Sequence, residues 1–152
     1  NKDEILESVF EYFFQLIEEG IINKIETAST PLEKLEVFFN LFFDMIFGEY
    51  GNFANLTLDI WSYGIRNQKS FTEDLRKKYN SYMKMIEMII DEGKSNGTFR
   101  EDFSSEIAAR SMIAMGDGLA LQIIMAKEDF RDGKVVKGSF DLFIKGLIKD
   151  NK

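Results

Sequence analysis

Any chemistry in this chain would have to come from carboxylates, lysines and tyrosines, because it contains no histidine and no cysteine. That removes imidazole relays, thiolate nucleophiles, disulfides, and metal sites built on imidazole or thiolate. No two of the remaining groups share an apolar helix face in a way that would poise one as acid and the other as base, so neither enzymatic function nor a cofactor or metal is expected. Two polar residues stand out for a different reason. Asp117 has Ile113, Ala114, Ala120 and Leu121 three and four positions away, so its carboxylate needs a buried partner, an interface or a ligand to offset its desolvation. A structural hydrogen bond or capture by Arg110 is the simplest solution. Gln122, flanked by Leu119 and Met125, divides evenly between a structural hydrogen bond and ligand contact. Tyr12, Tyr63, Tyr79 and Tyr82 could supply hydroxyl anchors, whereas Asp44 and Asp59 lie on polar strips and are expected in water.

The elements that must position these groups read as helices nearly throughout. There is a single proline, and the apolar residues recur at spacings of three and four rather than two. Six helices are predicted. The first follows Asn1 and Glu4 with the stripe Leu6, Val9, Phe10, Phe13, Ile17 and Ile21, ending near Thr27. Thr30-Pro31-Leu32-Glu33 is a capping box with proline in the first turn. It opens a second helix bearing Leu35, Phe38, Phe39, Phe42, Met45 and Ile46, broken at Gly48 to Gly51. A third runs from about Phe53 to Ile65. Ser70-Phe71-Thr72-Glu73 starts a long fourth helix with Leu75, Tyr79, Tyr82, Met83, Ile86 and Ile90 inward, and Asn96-Gly97 stops it. Asp102 or Ser104 caps a fifth that reaches about Ala126 and is apolar on nearly every side. A sixth spans Val135 to Ile148.

Three features carry functional information. The chain is 14% aromatic with fifteen Phe, and on its own that favours an ordinary packed core. Met83, Met85, Met88, Met112, Met115 and Met125 crowd two adjacent helices, and such unbranched side chains can repack around guests of differing shape. The fifth helix is dotted with Ala108, Ala109, Ser111, Ala114, Gly116, Gly118 and Ala120, which let a neighbouring backbone approach closely. That approach could come from the helix's own bundle or from a second copy of the chain.

Composition sets the outer bounds. At 152 residues the chain suits one domain spanning 1–152 with a real core. Its formal charge of −7 disfavours direct contact with phosphate backbones. Leu35 to Phe47, read as the most apolar segment, falls short of the roughly 20 residues of a membrane span, so no membrane partner is expected. Lack of cysteine fits a reducing cytosol, making a cytoplasmic location the expectation. There is no initiator Met and no signal-like leader, and the chain reads as a piece of a longer protein.

Several stretches resemble the TetR family of one-component transcriptional repressors. Asn1-Lys2-Asp3-Glu4-Ile5-Leu6 is similar to the family's F-x-N-K-D-E-L junction, where the helix-turn-helix head ends and the regulatory domain begins. Further similarity lies in Leu58-Asp59-Ile60-Trp61 with Arg66-Asn67, in Ile90-Asp91-Glu92-Gly93 with Gly97-Thr98-Phe99-Arg100, and in Asp117-Gly118-Leu119. The resemblance implies an all-α, six-helix C-terminal regulatory domain whose last two helices form an intermolecular four-helix bundle in a homodimer. It implies a hydrophobic or amphipathic effector, with a cationic one possible but not preferred, and operator DNA bound only through an absent N-terminal head. The expected ligand-binding residues are Phe10, Phe14, Phe39, Phe42, Phe43, Trp61, Tyr82, Met83, Ile86, Met115, Leu119 and Gln122. Those expected at the dimer interface are Ala109, Ile113, Asp117, Ile124, Phe140, Phe143, Ile144 and Leu147. The first helix, joined to the head, would act as the lever. The competing reading is a helical protein-interaction module with a solid interior and no ligand.

Overall fold

Short capping sequences set the helix boundaries, and apolar stripes set how the helices pack. The computed structural model describes residues 2–47, 58–59, 61–63, 66, 70–130 and 132–149. They form α1 (Lys2–Thr27), α2 (Pro31–Phe47), α4 (Ser70–Ser95), α5 (Ser105–Met125) and α6 (Lys134–Lys145), with a 3-10 turn at Lys127–Phe130. Between α2 and α4 the described residues 58, 59, 61–63 and 66 are helical and belong to α3. The fold is all-α. Among the described residues the only extended pairing is an isolated antiparallel bridge between Phe99 and Ile148.

The capping box before α2 forms as its residues require. Glu33 Oε2 accepts from the amides of Ser29 and Thr30 at 2.8 and 3.0 Å, and Glu33 N donates to Thr30 Oγ1 at 3.2 Å. Those two backbone donors hold the Glu33 carboxyl below its ordinary range. At the start of α5 the choice falls on Ser104, whose hydroxyl accepts from Ile107 N at 3.3 Å, while Asp102 pairs with Arg100 at 3.4 Å. Whether Ser70 caps α4 lies outside the described side chains.

α2 sits at the centre, packed against α1, α4, α5 and α6. Its Leu35 and Phe39 meet Ile86 and Ile90 of α4 and Met112 and Ile123 of α5 in the fully buried heart of the core. Phe39 stacks on Phe140 of α6 with ring centroids 5.0 Å apart. Ion pairs brace the edges: Lys34 to Glu92 at 2.7 Å, Lys24 to Asp44 at 3.2 Å and Glu18 to Lys78 at 2.5 Å. Being on the surface or half-buried, each stabilises by no more than about 1 kcal/mol.

α4 ends where Gly97 takes a left-handed φ of 79°, a conformation glycine adopts without steric penalty. Phe99 N then donates back to Gly93 O at 2.9 Å, and Arg100 N donates to Leu147 O at 2.9 Å. The second bond draws the chain after α6 onto the α4–α5 turn. For that reason α6 stops at Lys145, short of the Ile148 predicted from periodicity.

α5 is long and apolar enough, by length and composition alone, to cross a membrane, so Leu35 to Phe47 is not the segment that comes nearest. Here α5 packs against α2, α4, α6 and the 3-10 turn, burying Ala108, Ala109, Met112, Ile113, Gly116, Leu119 and Ile123.

Candidate functional site

The inner faces of α1 and α4 meet through aromatic rings. Phe10 and Phe14, one turn apart, have centroids 4.5 Å apart. Phe14 stacks on Tyr82 at 6.0 Å, and Phe38 meets the same ring edge-on at 5.9 Å. Tyr82 is only 7% exposed, and its hydroxyl has no hydrogen-bond partner among the described residues. A buried hydroxyl left in that state forfeits about 1–3 kcal/mol. Burial pushes its pKa up, with the Glu18 carboxylate adding to the effect.

One turn before it on α4, the Tyr79 hydroxyl donates to Asp117 Oδ1 of α5 at 3.3 Å. The Trp61 side chain of α3 also hydrogen-bonds to Tyr79; the indole is a donor only, so the phenol oxygen accepts. The result is a short relay from indole N–H to phenol to carboxylate. Burial raises the Tyr79 pKa, as does the neighbouring Asp117 charge. Burial likewise lifts Asp117 from 3.8 to about 6, against the lowering effect of the Tyr79 hydrogen bond. Among the described residues no cation balances this carboxylate. Arg110 does not capture it, because its guanidinium pairs with Glu106 at 3.0 Å.

Outside the aromatic stack lies a cleft of about 420 Å³ between α1 and the first turns of α4, lined by Glu7, Phe10, Glu11, Gln15, Asp74, Lys77 and Lys78. Phe10 is its apolar contributor. Lys77 pairs with Asp74 at 2.9 Å and Lys78 with Glu18. No group of three or more acidic side chains among the described residues could hold a metal ion.

Of the residues expected to line a ligand site, Phe10, Phe14, Phe39, Phe43, Tyr82, Ile86 and Leu119 are buried in one continuous cluster, with Trp61, Met83 and Met115 half-buried against it. Phe42 lies on α2, its side chain outside the described set. Gln122 requires correction. It is exposed on the outer face of α5, so the apolar neighbours that made it look stranded are not a buried wall and it has no place in the interior. Met88 and Met125 are also on the outside, at 63% and 71% exposure. Tyr79 and Asp117 were each legible as polar groups on apolar stripes, but their pairing was not.

Five of the expected interface residues need correction. Ala109, Ile113, Phe140, Ile144 and Leu147 are buried within the protomer, Ile124 and Phe143 pack partly against the same core, and Asp117 turns toward α4. A helix that is apolar all round does not disclose which side its own bundle takes. The outward apolar positions are instead Ile107, Leu121 and Met125 on α5 and Val135 and Leu142 on α6, with Ile107 and Leu142 at 66% and 73% exposure.

With this geometry in hand, residues 33–137 match the family model described as BetI-type transcriptional repressor, C-terminal. Among curated proteins no sequence matches the chain. Among solved structures, a transcriptional regulator from Saccharomonospora viridis in complex with choline superposes with a TM-score of 0.87 at 21% identity, covering 99% of this chain and 77% of that one. The ketosteroid transcriptional regulator KstR2 of Mycobacterium tuberculosis gives 0.79 at 16%, covering 99% and 74%. The regulator FadR from Bacillus subtilis, in complex with stearoyl-CoA, gives 0.78 at 21%, covering 96% and 76%. At these identities the likeness speaks to the fold.

Proposed function

The chain belongs to the TetR family of transcriptional regulators through its BetI-type repressor C-terminal region, and from that premise we propose that it is the effector-binding and dimerisation domain of a ligand-responsive repressor. A helix-turn-helix head joined to α1 would bind operator DNA. The effector is a small hydrophobic or amphipathic molecule taken into the aromatic interior between α1, α2, α4 and α5. Reaction chemistry has no part in this role, and a cytoplasmic location goes with it.

The observation that carries the reading is the Tyr82 hydroxyl, buried among Phe14 and Phe38 without a partner among the described residues. Natural interiors satisfy nearly all such groups, and a guest between α1 and α4 would supply the missing bond. α1 then serves as lever, because Phe10 and Phe14 on its inner face meet the guest while its first turn continues toward the head. Coupling of about 1–3 kcal/mol suffices to change operator affinity five- to 150-fold. The two similar structures that hold choline and stearoyl-CoA support a ligand-binding role for this fold.

An apolar dye that brightens out of water should bind saturably, at one site per protomer, and lose affinity when Tyr82 is changed to Phe or Leu. A featureless, non-saturating titration would instead favour a solid helical interaction module.

Dimerisation is assigned to the outward faces of α5 and α6, through Ile107, Gly118, Leu121, Met125, Val135 and Leu142. A carboxylate buried and unpaired in such a contact costs several kcal/mol, and two-fold symmetry presents each position twice. Leu121→Glu or Leu142→Glu should therefore weaken the dimer by about 100-fold or more while leaving the protomer's helix content unchanged. Sedimentation equilibrium at tens of micromolar would read this directly, and a variant that stays dimeric would move the interface elsewhere.

A further inference from the structure

We propose that the Glu18–Lys78 ion pair is a latch across the seam between α1 and α4, and that guests pass between the outer cleft and the interior only when it opens. This rests on reading the interior as an effector site, and it names how access to that site is regulated.

The seam is closed by side chains in two adjacent rungs. Phe14 of α1 stacks on Tyr82 of α4 at 6.0 Å. One turn on along α1 and one turn back along α4, Lys78 Nζ donates to Glu18 Oε1 at 2.5 Å. α1 packs along α2, and its approach to α4 is carried by these side chains.

On the outer side of the rungs lies the cleft of about 420 Å³. Two of its lining residues, Phe10 and Lys78, belong at once to the cleft and to the closed seam. Phe10 is 3% exposed and leans on Phe14 with ring centroids 4.5 Å apart. The rings thus seal the apolar side of the passage, and the ion pair seals its polar side. Inward lies the Tyr82 hydroxyl, buried and without a partner among the described residues. The Glu18 charge is felt there, since it helps to raise the Tyr82 pKa. The pair therefore stands between the cleft and the buried polar group that a guest would meet.

The strength of the pair suits a latch. Both side chains keep 35% of their surface exposed, so water and salt screen the attraction, and pairs of this kind part readily. A fully buried pair would be locked, because parting it strands a charge away from water. Opening also releases Glu18 to turn toward the Tyr82 hydroxyl, a donor lacking an acceptor, which offsets part of what the open arrangement loses. Neighbouring pairs lack this position: Lys77 and Asp74 both lie on α4, and Lys24 with Asp44 joins α1 to α2.

Nile red, a neutral dye that brightens in apolar surroundings, reads entry and exit by stopped flow. In Glu18→Gln and in Lys78→Gln, the association and dissociation rates should both rise about three- to fivefold. Equilibrium affinity should stay unchanged, because a gate lowers the barrier in both directions. Added salt should speed the native protein and leave the two variants as they are. Exchanging the pair, Glu18→Lys with Lys78→Glu, should restore the slow rates, and Lys24→Gln should not alter them. If the dye binds the native protein but its rates are indifferent to Glu18→Gln and Lys78→Gln, the latch is refuted and the effector site stands. A change in dissociation alone also refutes it, since the pair would then hold the guest without gating its passage. If the dye does not bind the native protein at all, both readings fall together.

Discussion

Gly93→Ala will destabilise the domain by about 3–5 kcal/mol, comparable to deleting a buried phenylalanine. A Cβ at Gly93 would lie 2.1 Å from Phe99 Cδ2 and 2.3 Å from Cε2, so the ring must leave its place. It has nowhere near to go. Phe99 is 0% exposed, its amide is bonded to Gly93 O at 2.9 Å, and the strand-like segment around it is tied to Leu147 and Ile148. At roughly 2–4 °C per kcal/mol for a domain of this size, the melting midpoint should fall by about 6–20 °C. Gly20→Ala in α1 is the matched control. Its new methyl meets Leu41 Cδ2 at an ordinary 3.6 Å, so alanine's better helix propensity should leave stability unchanged or raise it by up to about 1 kcal/mol. Equal midpoints for the two variants would show that the Phe99 seat is not the rigid joint described.

Asp117→Asn will stabilise the domain at neutral pH and change the shape of its pH dependence. The Asp117 carboxyl is lifted from 3.8 to about 6 by burial, so between about pH 4 and 6 the folded chain retains a proton the unfolded chain has lost. Stability contributed by that proton is complete below pH 4, declines as the pH climbs through the window, and is gone above about 6. A shift of about 2 units corresponds to roughly 3 kcal/mol, the upper limit of the gain expected for asparagine at pH 7. At pH 4 native and variant should be nearly equal. Glu33 and Asp132, whose pKa values are lowered by their hydrogen bonds, lose stability as the pH falls, but they do so in both proteins and cancel in the difference. Urea denaturation from pH 4 to 7.5 measures that difference, and a flat difference curve would contradict the burial assigned to Asp117.

Much of the helical frame was legible because local signals agreed with one another. Thr30, Pro31 and Glu33 placed the start of α2 to the residue, and Asn96-Gly97 placed the end of α4. The Phe10, Ile17, Ile21, Tyr82 and Ile86 positions of the predicted stripes point inward as their periodicity requires, whereas Val9 of the same α1 stripe faces outward at 38% exposure. What failed was orientation where periodicity was silent. α5 is apolar on nearly every side, so Ala109 and Ile113 looked as suitable for a second copy as Ile107 and Leu121, and burial alone separated them. Gln122 looked stranded for the same reason. The early end of α6 depends on the Phe99–Ile148 bridge, a contact across 49 residues that no local window contains. The Tyr79–Asp117 bond is equally non-local, although each partner could be recognised as a polar group in need of one.

In the dimer proposed above, two copies of this chain clasp along α5 and α6 while each holds a guest inside. Native mass spectrometry tests it most directly, on the protein as purified and again after incubation with a small apolar probe. The expected spectrum shows complexes at twice 17.6 kDa that carry up to one small molecule per protomer, and Leu121→Glu moves them to single chains that still take up the guest. A lone chain at 17.6 kDa, bare under both conditions, would contradict it.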